Sequence, residues 1–322
     1  MKFIKKILFA IGFFFFGFNS QAESSENAKD SVKVGVFITS LYDINYIQQS
    51  FNVDFWIWFN WNNDSLFPMK TAMISNAKSS TRNFEEAQRI SHVNTSNEFC
   101  QATIKENWNL KNFPFDNQVL KIIIEENDSD SDALRFIADK ANTKFDESIV
   151  LTDWKIKNIN IESGTKAYKT NFGFADSKSD TSIFSTVEVK MDLHRTGTWG
   201  LFAKLVTGVY VAFFVSMLVF WIDPVEVDPR FGLSVGSLFA AVANKYVIDS
   251  IIPETAAFTL VDKIHVTCFV GILFTMILSV LSLAMYKKNK ELKSKKLDKI
   301  SFYVLLVSFV LVNVFLVAKA IN

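Results

Sequence analysis

Two cysteines, three histidines and five prolines in 322 residues leave several functional classes without their chemistry. Cys100 and Cys268 cannot build a disulfide framework or a metal cluster. Cys268 falls inside a membrane-length apolar run, so both thiols are expected free. Scattered histidines supply no zinc site and no nucleophile–base pair, and no inverted repeat of a transporter is present. An enzyme is therefore not expected, and no cofactor is implied. Charge of one sign is lacking too: 34 Lys+Arg stand against 33 Asp+Glu, a formal net charge of +1, which excludes a bulk nucleic-acid binder. Apolar residues are abundant, 49% of the chain with 33 Phe, and that excludes disorder.

The near-zero total hides three regions. In residues 1–22, Lys2, Lys5 and Lys6 precede the apolar run Ile7 to Phe18, and Ser20-Gln21-Ala22 offers a small-x-small cleavage site. This is the pattern of a secretory signal peptide, its apolar core too short for a hydrocarbon layer of ~30 Å. Residues 23–195 carry 19 basic and 25 acidic side chains, whereas residues 196–322 carry 12 and 8 and most of the apolar excess.

Residues 23–195 read as an all-β extracellular domain. Runs with period two occur at Val32–Ile38, Phe51–Phe59, Gln118–Ile124, Trp154–Ile161 and Ser182–Leu193. Turn-rich stretches such as Asn62-Asn63-Asp64-Ser65 separate them, which predicts an immunoglobulin-like sandwich. Edge strands of such a domain need cover, so neighbouring subunits are expected. In the strand Phe51–Phe59, Phe55, Ile57 and Phe59 share one face, leaving Trp56 and Trp58 to face outward.

Residues 196–322 predict an α-helical bundle of four spans at 199–222, 231–252, 258–286 and 300–320, each close to the ~20 residues that cross a bilayer. A basic loop, 287–299, with seven Lys against Glu291 and Asp298, joins the last two. A secreted N-terminus followed by four crossings puts that loop in the cytoplasm, where basic residues belong, and the C-terminus outside. Lys204 and His265 are expected to face the bundle. The second span is not built to face lipid. Gly232, Gly236, Phe239, Ala243, Tyr246 and Ser250 fall on one stripe, beside Asn244, Lys245 and Asp249. The stripe suits either a pore lining closed at Phe239 or close packing of helices through small residues.

Phe113-Pro114-Phe115-Asp116-Asn117-Gln118 resembles the FPFDxQ signature of the pentameric ligand-gated ion channels, the Cys-loop receptor superfamily. The resemblance extends over about residues 30–322, through spaced Trp56 and Trp61, Asn76-Ala77, Arg195 before the first span, and Arg230 placed 23 residues before Pro253. The loop cysteines are absent, with Glu106 and Leu120 in their places, and the short basic loop also resembles the prokaryotic members. The resemblance implies a homopentamer in a bacterial inner membrane, opened by a small-molecule, ion or proton agonist. It implies a subunit-interface ligand site from Trp56 on one side and Asn76, Glu125, Asn127, Tyr168, Phe172 and Phe174 on the other. It implies coupling through Asp43, Asn45, Tyr46, Phe113, Pro114, Phe115, Asp116, Arg195 and Pro253. Asp116 and Arg195 are the candidate buried pair, with Asp43 left as another carboxylate for Arg195.

Under that resemblance the stripe lines a central pore, with Phe239 in place of the usual leucine girdle. Glu226 and Asp228 flank Arg230 at its inner mouth, and acidic rings favour cations. Pro229-Arg230-Phe231-Gly232-Leu233 instead resembles the entrance of anion-selective members, unless Arg230 pairs with a neighbouring carboxylate. Asp128, Asp130 and Asp132 alternate as a calcium loop begins, without its glycine or twelfth-position Glu; a solvated acidic turn is the expectation. The rival expectation for the whole chain is a non-conducting, membrane-anchored binding receptor.

Overall fold

The computed structural model describes residues 30–84, 87–173, 180–250 and 258–321. The expected signal segment 1–22, Phe174 and Pro253 lie outside the described residues. The period-two runs form the long strands: β1 (Asp30–Asn45), β2 (Ser50–Trp61), β7 (Asn117–Asp130), β10 (Trp154–Tyr168) and β11 (Ser182–Arg195). Shorter or more polar segments add β3 (Ala72–Ile74), β4 (Ala77–Phe84), β5 (Gln88–Ile90), β6 (Val93–Lys105), β8 (Leu134–Ala138) and β9 (Lys144–Phe145), with a one-turn helix α1 (Pro68–Thr71) before β3.

These strands make two sheets. One has the order β4-β6-β2-β1-β8, with β5 on β6 and β9 on β1; the other runs β10-β11-β7-β3. Alternation dictates what lies between them. Val34, Val36, Phe55, Ile57 and Phe59 from the first sheet meet Leu120, Ile122, Ile124, Val187 and Val189 from the second in one buried cluster. Trp56 is 41% exposed on the opposite face, as the alternation requires.

Cys100 sits in that cluster, and burial pushes its thiol up to about 12. At pH 8 the reactive thiolate is then about a thousandfold scarcer than at an ordinary cysteine. Iodoacetamide is expected to alkylate Cys100 at least about a thousandfold more slowly in the folded protein than in urea. Equal rates would refute its place in the core. Both cysteines are free and buried.

Four helices follow, each long and apolar enough to cross a membrane: α2 (Thr198–Met217, continued by a 3-10 turn Leu218–Trp221), α3 (Val227–Asp249), α4 (Leu260–Lys287) and α5 (Glu291–Ile321). The chain is thus a multi-pass membrane protein with a two-sheet β region ahead of its spans. Local chemistry sets the starts. Pro229 sits in the first turn of α3, where a backbone N–H has no helical acceptor anyway. At α4, Thr259 Oγ1 accepts from the Asp262 N–H at 3.1 Å, while Asp262 Oδ2 accepts from the Thr259 N–H at 2.9 Å, a capping box.

Three expectations are corrected. The segment read as a basic loop, 287–299, is helical from Glu291 onward, leaving Lys288 to Lys290 as the link, because Lys, Glu and Leu are all good helix formers. The acidic turn expected at Asp128, Asp130 and Asp132 begins only after Asp130, since β7 continues to that residue. Lys204 is exposed on α2 instead of facing the bundle, whereas His265 is buried with its Nε2 2.9 Å from Asn244 Oδ1.

Candidate functional site

Three places assemble the residues singled out by sequence. The first is the junction between the β region and the helices. Arg195 ends β11, and Asp116 lies in the loop from β6 to β7, 79 positions earlier. The guanidinium donates from Nε to Asp116 Oδ1 at 2.9 Å and from Nη2 to Asp116 Oδ2 at 3.1 Å, a bidentate pair with both side chains 2% exposed. Nη2 also donates to the Tyr46 hydroxyl at 2.7 Å, and Gln118 Nε2 donates to Asp116 Oδ2 at 2.6 Å. Ring faces close the remaining sides: Trp154 at 4.0 Å, Phe113 at 4.9 Å and Tyr46 at 5.5 Å. Burial raises the Tyr46 phenol above its ordinary range, with Arg195 opposing, so it remains a neutral donor and acceptor.

Asp43 does not take part. It has positive φ and accepts from Asn52 Nδ2 at 3.0 Å. The β1–β2 loop thus meets Arg195 through a hydroxyl rather than a carboxylate. Asn45 contributes its carbonyl, which accepts from Trp108 Nε1 at 3.0 Å, and the Trp108 and Tyr46 rings meet edge-on at 5.2 Å. Below this knot the Phe113–Asn117 loop enters the helices. Phe113 and Leu110 belong to the buried helical cluster, and Phe115 packs on Trp199 at 5.0 Å and Phe202 at 5.5 Å. Pro114 follows Phe113 through a cis peptide bond. Sequence reasoning missed Trp154 here; its cross-strand pairing with Arg195 follows from the β10–β11 register, which no local pattern reveals.

The second place is α3. Its buried face is Arg230, Ser234, Ser237, Ala241 and Ile248. On the other side, Gly232, Gly236, Phe239, Ala243, Tyr246 and Ser250 are all exposed, Phe239 at 71% and Tyr246 at 79%. A Cβ added to Gly232 or Gly236 would meet nothing within 4 Å, so neither glycine serves close packing within the chain. The polar residues that made this span unusual divide between the two faces. Lys245 pairs with Asp262 of α4 at 3.0 Å and also contacts Asp249, and Asn244 meets His265; these tie α3 to α4.

Arg230, expected either beside the inner-mouth acids or paired with a carboxylate, is paired: it is 1% exposed and does not share the acids' solvent-facing position. Its Nη2 donates to Asp298 Oδ2 of α5 at 2.5 Å and, with Nε, to the Ile222 carbonyl at 2.6 and 3.1 Å. The charge is neutralised inside the bundle, while Glu226 and Asp228 remain exposed. Asp298 was missed; an acid among seven lysines was the available signal.

The third place is the outer face of the four-stranded sheet. Buried Glu125 accepts from the Tyr168 hydroxyl at 2.6 Å and from Lys166 Nζ at 3.3 Å, and Lys166 lies 4.8 Å from the Tyr168 ring centre. Phe172 and Phe184 pack edge-on or tilted around Tyr168 at 5.4 and 6.0 Å. The aromatic corner thus already holds a cation of the chain's own, Lys166. Asn127 is exposed nearby in sequence, whereas Asn76 spends both ends of its amide on β7, donating to the Lys121 carbonyl at 2.8 Å and accepting from the Ile123 N–H at 3.0 Å. The Trp56 and Phe99 rings meet at a tilt, 5.3 Å apart, on the outer face of the other sheet. One chain therefore does not bring Trp56 and Tyr168 together.

Asp130 accepts from the Asp132 N–H at 3.1 Å, and Asp128 donates its N–H to Glu126 Oε1 at 3.1 Å. Asp128 and Asp130 thus lie at the end of β7 and Asp132 in the turn that follows, and among the described residues no group of three His, Cys, Asp or Glu side chains could hold a metal ion. Comparison with protein-family models and with curated proteins finds no match to this chain.

Proposed function

We propose that the chain is a subunit of a ligand-gated ion channel of the pentameric, Cys-loop receptor type, with an immunoglobulin-like outer domain and an axial pore lined by α3. The observation that carries this reading is the exposed stripe of α3, which puts glycines, a serine and two large rings on a face that the described residues leave uncovered. Lipid would be a poor solvent for the Tyr246 hydroxyl at that face, whereas five copies around an axis would give it water. Support from the β region is geometric. Trp56 and the Glu125–Tyr168–Phe172 corner lie on opposite outer faces, so a ligand pocket walled by both needs two adjacent subunits.

In this reading the signal segment delivers the outer domain and the C-terminus to the extracytoplasmic side of a bacterial inner membrane. Agonist binding between subunits moves the Phe113–Asn117 loop against α2, and the Asp116–Arg195–Tyr46 knot holds that loop to the sandwich. Purified protein in planar bilayers, screened for currents evoked by ligands or protons, tests the reading; an assembled protein that never conducts leaves the anchored receptor in its place.

Selectivity follows from the burial of Arg230. With its charge matched by Asp298, the exposed inner-mouth charges are Glu226 and Asp228, and the pore is cation-selective. Changing both to Gln is expected to move the reversal potential in a KCl gradient toward the chloride value, by tens of millivolts. Chloride selectivity in the unmodified channel would refute the acidic-ring account.

A further inference from the structure

A cavity of about 410 Å³ opens between the turn after α2 and the first turns of α5, lined by Trp221, Asp223, Lys295, Asp298, Lys299 and Tyr303 among others. It lies at the end of the bundle far from the β region, because α2 leaves that region at Thr198 and reaches the cavity one span later. Its depth is set by α5, whose sequence turns from lysine-rich to apolar after Lys299. Trp221 and Tyr303 are exposed at that level, where amphipathic rings mark the border between headgroups and acyl chains.

The charges in the wall are balanced and incompletely used. Lys295 pairs with Glu291 at 2.7 Å and Asp223 at 3.5 Å. Exposed Lys299 makes no ion pair among the described residues. Asp298 gives Oδ2 to Arg230, while its Oδ1 is buried without a hydrogen-bond partner. A buried carboxylate oxygen normally finds a donor, and none among the described residues reaches this one. Two cations and two carboxylates among the lining side chains suit a ligand that carries both charges rather than a purely anionic one.

We propose that this cavity holds the headgroup of a membrane phospholipid bearing a primary ammonium, the chemistry of phosphatidylethanolamine. Its phosphate meets Lys299, its N–H donors satisfy Asp298 Oδ1 and Asp223, and its acyl chains leave along Phe302 and Tyr303. A choline headgroup has the same net charge but no N–H to give. A glycerol headgroup can place its phosphate on Lys299 equally well but brings no ammonium to the two carboxylates.

The test is native mass spectrometry of the delipidated full chain in detergent, offered equal amounts of phosphatidylethanolamine, phosphatidylcholine and phosphatidylglycerol with identical acyl chains. The ethanolamine lipid is expected to be retained about tenfold or more over either competitor, the value of a charge-assisted donor. Lys299→Gln, at an exposed position, is expected to reduce that retention with an unchanged elution volume. Equal retention of the choline lipid, preference for the glycerol lipid, or an unaffected Lys299→Gln protein would each overturn the proposal. The headgroup comparison on the unaltered protein decides alone, and it needs no current, so its outcome is separate from that of the channel reading.

Discussion

Arg195→Gln is expected to destabilise the protein by about 3–5 kcal/mol, because it strands a buried carboxylate. Asp116 and Arg195 are each 2% exposed and bound to one another at two points. Removing the guanidinium leaves Asp116 with the Gln118 amide as its remaining side-chain donor among the described residues. It also empties the space that Trp154, Phe113 and Tyr46 surround. Asp116→Asn should cost less than Arg195→Gln, since the Tyr46 hydroxyl and three ring faces still accompany the cation. The double variant should recover part of the loss, giving a coupling energy of ~1–3 kcal/mol in a thermodynamic cycle. Thermal denaturation in detergent measures all four species. A single-variant cost below about 1 kcal/mol, the worth of an exposed pair, would show that the pair is not held dry as its geometry requires.

The sequence pattern was readable wherever an element has one apolar face and one solvated one. β2 alternates Phe55, Ile57 and Phe59 against Trp56 and Trp58, and the core takes the first set. β6 defeated the same reading because its inward positions include Ser96, Glu98 and Cys100. Their burial depends on a partner, since Glu98 is paired with Arg82 at 2.5 Å, a contact that no strand periodicity announces. The stripe of α3 was legible from its helical spacing alone, because the opposite, buried face carries Arg230, Ser234 and Ser237 rather than an apolar set.

Long-range pairings were the hidden part. Arg230 and Asp298 are 68 positions apart, so charge order along the chain suggested an arginine at the inner mouth where the fold hides it. Tyr46 supplied a hydroxyl at the place where a carboxylate was sought, because a neutral oxygen suffices once Asp116 has balanced Arg195. The start of α5 was misread for a different reason. Lysine reports solvent exposure without reporting backbone conformation, and Glu291 at the helix start with lysines following satisfies both.

Phe239→Ser is expected to raise resting conductance by at least about tenfold while leaving assembly intact. The ring is 71% exposed, so its loss opens no cavity within the chain and costs little folding free energy. Its role in a pore would be to repel water from a narrow axis. Each phenyl ring carries about 1.5–3 kcal/mol of preference for an apolar environment, and five would face one another. Only about 1.4 kcal/mol less barrier to hydration is needed for a tenfold rise in current. Tyr246, two stripe positions nearer the β region, keeps a hydroxyl and should not replace the lost seal. Leu311→Ser, at an exposed apolar position of α5, is the control for a general loosening of the bundle. Recordings from reconstituted protein should show leak in the first variant and none in the second. Leak in both would assign the effect to bundle stability, and leak in neither would remove Phe239 from the gate.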